Sequence, residues 1–101
     1  MGLVRVKPQR VEHTDGWAVA SAGREQVRYE EGGRQALIGI DRGRHSSRLY
    51  VASLSWVDGD GETPLLEPHR NAVLDRIVEG LMAMGLESIE RYSAPGEAAE
   101  H

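Results

Sequence analysis

The chain has 101 residues, the usual size of one domain built around a single hydrophobic core. It contains no cysteine, which excludes disulfides, a thiolate nucleophile and cysteine-ligated zinc, and its longest apolar runs are too short to span a membrane. The formal net charge is −4, and the N-terminal MGLVRVKPQR lacks the apolar stretch of a secretory signal, so we expect a cytoplasmic protein.

The first quarter of the chain predicts two short strands separated by a turn. Leu3–Lys7 alternates weakly between apolar and polar residues and predicts an edge strand, because Pro8 behind it cannot donate a ladder hydrogen bond. The segment His-Thr-Asp-Gly at 13–16 is typical of a turn. Trp17–Ala22 predicts the second strand, and residues 22–25 predict the turn that follows it.

The segment Gln26–Asp41 carries the pattern of a β-hairpin. The Gly-Gly pair at 32–33 can adopt the two positive φ angles of a two-residue type I′ turn. That turn places Tyr29 opposite Ala36, and the neighbouring apolar residues of both strands then share one face. This face holds Val27, Tyr29, Ala36, Ile38 and Ile40.

An alternating segment at 48–57 predicts a further strand. Its apolar residues divide between the two faces of the sheet because side chains alternate along a regular strand. One face is expected to hold Tyr50, Ala52, Leu54 and Trp56, and the other Leu49, Val51, Ser53, Ser55 and Val57.

The segment 68–84 predicts an amphipathic helix. It begins with a proline, which suits a first helical turn, and its apolar residues fill about half of the helix circumference. Gly85 fits the left-handed C′ position of a Schellman motif, with Leu86 placed to contact Leu81. Gly80 is expected to cost about 1 kcal/mol relative to alanine in an exposed helix interior.

These elements predict an α+β fold, a four- to five-stranded antiparallel meander with one C-terminal amphipathic helix packed on one face. The domain is expected to span residues 1–93, with a last short strand at 89–92, and residues 94–101 to form a disordered tail. Five strands about 4.8 Å apart make a sheet roughly 20 Å wide, whereas one helix covers about 10 Å. The sheet therefore has to curl strongly, or a second copy or another protein covers the remainder. The helix is expected to pack across Val27, Tyr29, Ile38, Ile40, Tyr50, Leu54 and Trp56.

No segment carries a complete catalytic or metal-binding pattern. The stretch 58–62 alternates possible oxygen ligands, but Thr63 and His69 stand where a calcium loop of the EF-hand type needs glycine and glutamate. The four histidines are too widely spaced for the usual zinc pairs. His45 precedes two serines, yet a base and its nucleophile are normally brought together from distant segments. We expect no catalytic residues, no metal and no cofactor.

The first functional hypothesis is a non-enzymatic module that binds another protein or a second copy of itself as a homodimer. Residues 1–48 carry nine basic and six acidic side chains, whereas residues 49–101 carry three basic and ten acidic ones. Such asymmetry can mark an interaction surface. An inhibitor or immunity-type protein that blocks a basic toxin is one version. The candidate contact residues are Asp75 and Glu79 on the exposed helix face, and Leu37, Leu49 and Val51 on the sheet face without the helix.

Two alternatives remain open. One is binding of a nucleic acid or another anionic ligand through basic side chains, although a net negative charge argues against nucleic acid. The other is a small-molecule enzyme with its site at a subunit interface, whose converging residues one sequence cannot reveal. The candidate anion-binding residues are Arg42, Arg44, His45, Arg48 and Arg70. Arg70 also fits a simpler position, in which its stem packs on the sheet rim while its guanidinium reaches water or a carboxylate.

Overall fold

A computed structural model describes residues 2–7, 9–43, 46–58 and 61–92, and within these ranges the predicted α+β class is confirmed. One helix packs on a largely antiparallel sheet that curls around it. The described sheet has eight strands rather than four or five, because β2 and β7 form in segments for which the sequence predicts no strand. The elements are β1 (Leu3–Lys7), β2 (Arg10–His13), β3 (Trp17–Ser21), β4 (Gln26–Glu31), β5 (Arg34–Arg42), β6 (Ser47–Asp58), β7 (Gly61–Pro64), α1 (His69–Ala83) and β8 (Ile89–Tyr92).

The strands β1 to β7 lie side by side in chain order as an antiparallel meander. β6 is long enough to have two neighbours on its outer side. β7 pairs with residues 55–58, and β8 pairs in parallel with residues 47–50. The parallel pairing follows from α1, because a helical crossover returns the chain to the end of the sheet where β6 begins.

The hairpin of β4 and β5 forms in the predicted register. Gly32 has φ 57° and Gly33 has φ 84°, so both turn residues adopt the positive φ that a type I′ turn requires. Val27 lies opposite Ile38, as the turn and the hydrophobic pattern together predict.

A large bulge interrupts the pairing of β5 with β6. Gly39 pairs with Tyr50 and Leu37 pairs with Ser55, so all of 51–54 lies opposite a single residue of β5. β6 therefore has three more residues than β5 in this stretch, which is an odd number. Successive side chains of a strand point to opposite faces of the sheet. The faces are therefore exchanged between the two halves of β6.

The exchange corrects the faces assigned from the sequence to the first half of β6, where Val51 packs against the core and Ala52 is exposed. Leu49 is predicted on the uncovered face, but it is fully buried in the core opposite Ile40. Tyr50 is predicted to contact the helix, but it is half-buried beside Gly39 on the other face. The Ser53 hydroxyl stabilises the bulge, because it accepts the Gly39 N–H at 2.8 Å and donates to the Tyr50 carbonyl at 2.7 Å.

The hydrophobic core fills the space between α1 and the concave face of the curled sheet. The helix backbone lies closest to β1, β2 and β3, so it sits nearer the N-terminal strands than the sequence predicts. Side chains from β4, β5 and β6 complete the core together with Leu65, which follows β7, because the curl turns them toward the helix. The core residues are Val11, Trp17, Val19, Val27, Tyr29, Ala36, Ile38, Ile40, Leu49, Leu54, Trp56, Leu65, Val73, Leu74, Ile77 and Leu81.

Gly80 faces the sheet and not the solvent. A Cβ atom at this position would lie 2.8 Å from Cβ and Cγ2 of Val19 and 3.2 Å from Cγ2 of Val11. The prediction of an exposed weak position is therefore wrong. The missing side chain instead allows α1 to approach β2 and β3 closely.

α1 ends in the predicted Schellman motif. Gly85 has φ 110° and its N–H donates to the Met82 carbonyl at 3.0 Å, while the Leu86 N–H donates to the Leu81 carbonyl at 3.1 Å. Leu86 is partly buried against the core cluster that contains Leu81. Both hydrogen bonds of the motif and its apolar contact are present.

An ion pair covers part of the convex face of the sheet. Arg10 on β2 donates to Glu30 on β4 at 2.9 Å, and the intervening β3 carries the small residues Ala18 and Ala20 beneath them. The hydrogen bond from Arg10 is the main reason that the pKa of Glu30 lies below its usual value, although burial acts in the opposite direction.

The helix α1 has 15 residues, whereas a bilayer span needs about 20 apolar ones. No helix in the described part of the chain has the length and apolar character to cross a membrane. The tail predicted at 94–101 lies outside the described residues.

Candidate functional site

Aromatic and imidazole rings gather where the β4–β5 turn meets the start of α1. His13 stacks on Trp17 with ring centroids 4.7 Å apart, and Trp17 lies 6.2 Å from Tyr29. Trp56 lies 6.3 Å from Tyr29 and 5.6 Å from His69. We call these five residues the aromatic cluster. Each of them comes from a different element, so the cluster exists only in the folded chain.

A hydrogen-bond network joins the aromatic cluster to α1. Arg76 donates to the Tyr29 hydroxyl oxygen at 2.7 Å, and that hydroxyl donates to Glu31 at 2.8 Å. Burial raises the pKa of Tyr29 to about 12, since a charged phenolate is poorly solvated there; the hydrogen bond from Arg76 acts in the opposite direction. The phenol therefore stays neutral at physiological pH and holds the helix side chain to the sheet.

The tryptophan rings of the aromatic cluster are buried, and a depression of about 310 Å³ lined by His13 and Trp17 lies beside them. Trp17 and Trp56 are 4% and 6% exposed, and the Arg34 guanidinium lies over the Trp56 ring at 4.2 Å. The described residues contain no group of three or more His, Cys, Asp or Glu arranged to hold a metal ion. We interpret the aromatic cluster as a clamp between α1 and the sheet, because Arg76 of α1 donates to Tyr29 of β4 and the ring of His69 lies against that of Trp56.

An open groove of about 530 Å³ crosses the convex face beside the bulge. Its floor is Leu37, Gly39, Ser53 and Ser55, which belong to β5 and β6. The floor is low because three of these four residues are small. We call this depression the convex groove. Its walls are Ala22, Arg24, Glu25 and Gln26 on the β3–β4 side and Glu62 on β7.

A second hollow of about 340 Å³ adjoins the convex groove and shares Glu25 and Gly39 with it. Asp41 and Tyr50 line this hollow, and the Tyr50 hydroxyl lies 3.4 Å from the Asp41 carboxylate. Carboxylates thus stand along both depressions, opposed by the single guanidinium of Arg24.

The predicted apolar contact residues of the sheet have three different environments. Leu37 is half-buried and forms part of the floor of the convex groove. Val51 is partly buried and packs against the core cluster. Leu49 lies in the core itself, so it is not available to a partner.

The predicted acidic face of α1 is partly engaged within the protein. Asp75 accepts a hydrogen bond from Arg91 and so ties the helix to β8. Glu79 is exposed, as predicted, and Met82 on the same helix is 52% exposed. Of these two carboxylates, Asp75 is paired within the protein, whereas Glu79 forms no ion pair with the described residues.

The structure does not assemble the predicted anion-binding residues into one site within the described ranges. Arg42 donates to a serine hydroxyl of β3 at 3.0 Å, and Arg48 lies 3.6 Å from Glu90. Arg70 donates to Glu67 at 2.9 Å, in agreement with the simpler of its two expected positions. The remaining members of the predicted cluster, which lie outside the described residues, are Arg44 and His45.

Sequence reasoning does not indicate most of the convex groove. Glu25 and Glu62 are far apart in the chain and come to line one groove only through the meander. Gly39 is the one local signal, because an isolated glycine inside a strand pattern indicates a bulge or a close approach. The aromatic cluster has no short-range signal, since its residues are spread over five elements.

Comparison with known proteins supplies no relative for either feature. The chain matches no protein-family model, no curated protein and no solved structure. Its function therefore has to be inferred from the geometry and chemistry of its own residues.

Proposed function

We propose that this protein is a non-enzymatic module that binds another protein through the convex groove. One observation carries the proposal: the convex groove is an open depression of about 530 Å³, larger than the depression of about 310 Å³ beside His13 and Trp17 of the aromatic cluster, whereas the concave face is filled by α1. A binding module needs an accessible surface with both apolar and polar groups. The half-buried Leu37 and the carboxylates of the walls supply both.

The helix face is the weaker candidate for the same role. Asp75 already serves an internal contact with Arg91, so only part of the predicted acidic surface is left for a partner. An inhibitor or immunity-type protein remains the concrete version of this proposal, because such proteins act by covering a surface and need no catalytic group.

Site-specific photo-crosslinking tests the proposal. A photoreactive amino acid replaces Gln26, which is exposed in the wall of the convex groove, and in a matched control it replaces Glu79, which is exposed on α1. Irradiation in the source cells should join a heavier protein to the Gln26 variant and not to the Glu79 variant. Mass spectrometry then identifies the joined chain.

Three results would contradict the proposal. Crosslinks formed only from Glu79 assign the interface to the helix face. A product with twice the mass of this chain makes the partner a second copy and not another protein. Equal crosslinking from both positions indicates contacts made by chance, without a defined surface.

A further inference from the structure

We infer that the convex groove receives a basic segment of the partner protein, whose arginine side chains pair with Glu25 at one wall and with Glu62 at the other. This inference rests on the proposed function and adds the chemistry of the partner. Charge, shape and the availability of the carboxylates each support it.

The carboxylates of the convex groove are available to a partner. Glu25 and Glu62 are exposed and form no ion pair with any residue that the structure describes. By contrast, Glu30 and Glu31 on the neighbouring β4 lie within ion-pair distance of arginines of this chain. A cation that enters the groove can therefore pair with either carboxylate without displacing a partner among the described residues.

The counter-charge in the convex groove is smaller than the negative charge. Of the described residues that line it, Arg24 alone is basic, while Glu25, Glu62 and, in the adjoining hollow, Asp41 carry carboxylates. A basic segment is thus attracted, whereas an acidic one is repelled.

The floor and the far end of the depression suit arginine in particular. Leu37 and Gly39 present an apolar, low surface on which the aliphatic stem of a long side chain can lie. Tyr50 lines the adjoining hollow, and a planar guanidinium can stack on an aromatic ring as well as bind carboxylates. Lysine carries a compact point charge. Its ammonium group therefore stacks on the aromatic ring and binds the carboxylates less well than a guanidinium does.

The test is a titration of the ¹⁵N-labelled full chain with a tri-arginine peptide at low ionic strength, followed by two-dimensional NMR. The backbone amides of 24–26, 37–39, 53–55 and 62 should shift, and a tri-serine peptide should leave them unchanged. The double variant Glu25→Lys/Glu62→Lys should bind tri-arginine roughly tenfold more weakly, since each reversal replaces an attraction with a repulsion.

The matched control is Glu79→Lys/Glu87→Lys, which changes the net charge equally at two exposed carboxylates outside the convex groove. Its affinity for tri-arginine should stay close to that of the unaltered chain. Equal weakening in both variants, shifts confined to α1, or no shift with tri-arginine would each overturn the inference. Such a result leaves the crosslink from Gln26 intact, so a failure of the inferred chemistry is distinguishable from a failure of the proposed function.

Discussion

Tyr29 is the residue at which burial and hydrogen bonding have the largest effect on a titration. Its pKa of about 12 in the folded chain exceeds the value of about 10 for an unperturbed tyrosine. The folded state therefore holds its proton more tightly than the unfolded state. The stabilisation is fully present below pH 10 and is lost as the pH rises toward 12.

We expect this difference to appear in the free energy of unfolding at high pH. Between pH 9 and pH 11 the unaltered chain should lose about 1.4 kcal/mol through Tyr29, because the folded and unfolded pKa values differ by about two units. Tyr29→Phe cannot titrate and should lack this loss, while all other groups titrate as before. Urea unfolding of both proteins at the two pH values measures the difference.

The comparison contains its own control. At neutral pH, Tyr29→Phe should be less stable by about 1–3 kcal/mol, because Arg76 and Glu31 lose the hydroxyl between them. If the two proteins instead lose stability equally between pH 9 and pH 11, folding does not raise the pKa of Tyr29 above its value in the unfolded chain.

At the scale of elements, the contact between α1 and the sheet depends on Gly80. Helix propensity alone predicts that Gly80→Ala stabilises the helix by about 1 kcal/mol. The packing predicts the reverse, because a methyl group would lie 2.8 Å from two carbon atoms of Val19. We expect Gly80→Ala to lower the free energy of unfolding by about 1–3 kcal/mol, as overpacked cores do, measured by urea unfolding.

A second substitution separates the clash from an effect on the helix itself. Val19→Ala removes the Cγ2 atom that meets the new methyl group, although it leaves Cβ in place. The double variant should therefore be more stable than the sum of the two single changes predicts. If the changes in the free energy of unfolding simply add, the two residues do not interact. Such a result would contradict the close approach of α1 to β3.

The elements that the sequence predicts well are those determined by neighbouring residues. The Gly32–Gly33 turn and the Gly85 cap each require a positive φ, and the glycines in the sequence at these positions indicate this conformation. The bulge in β6 depends on a contact between Gly39 and Ser53, which lie on different strands. An unbroken alternation at 48–57 cannot reveal it, so the sequence places Leu49 on the wrong face.

The same division applies to the candidate site. The position of Leu37 is predictable from the hairpin register, because an apolar residue on the outer face of the hairpin has to contact solvent or a partner. Glu25 and Glu62 join it only when β4 to β7 lie side by side, and the sequence treats both as ordinary turn residues. The site is thus a property of strand order, which local pattern does not contain.

For the whole molecule, the curl of the sheet explains how one helix can cover the apolar face of so wide a sheet. A flat sheet of this many strands would leave apolar residues uncovered by a single helix. The curl turns the concave side chains toward α1, and the Arg10–Glu30 ion pair covers two alanines on the convex side. Among the side chains that the structure describes, the only large hydrophobic ones that are exposed are Leu66 and Met82.

We therefore expect a monomer in solution, contrary to the homodimer that an uncovered flat sheet suggests. An obligate dimer commonly buries 2,000 Å² or more, on the order of a domain core cut in half, and its centre is apolar. Leu66, at 73% exposure, and Met82 are two isolated side chains and do not form such a surface. Light scattering coupled to size-exclusion chromatography should give a mass near 11.1 kDa over the accessible concentration range. A mass near twice that value, insensitive to dilution, would show that the curl does not remove the need for a second copy, and the convex groove would then be the first place to seek the contact.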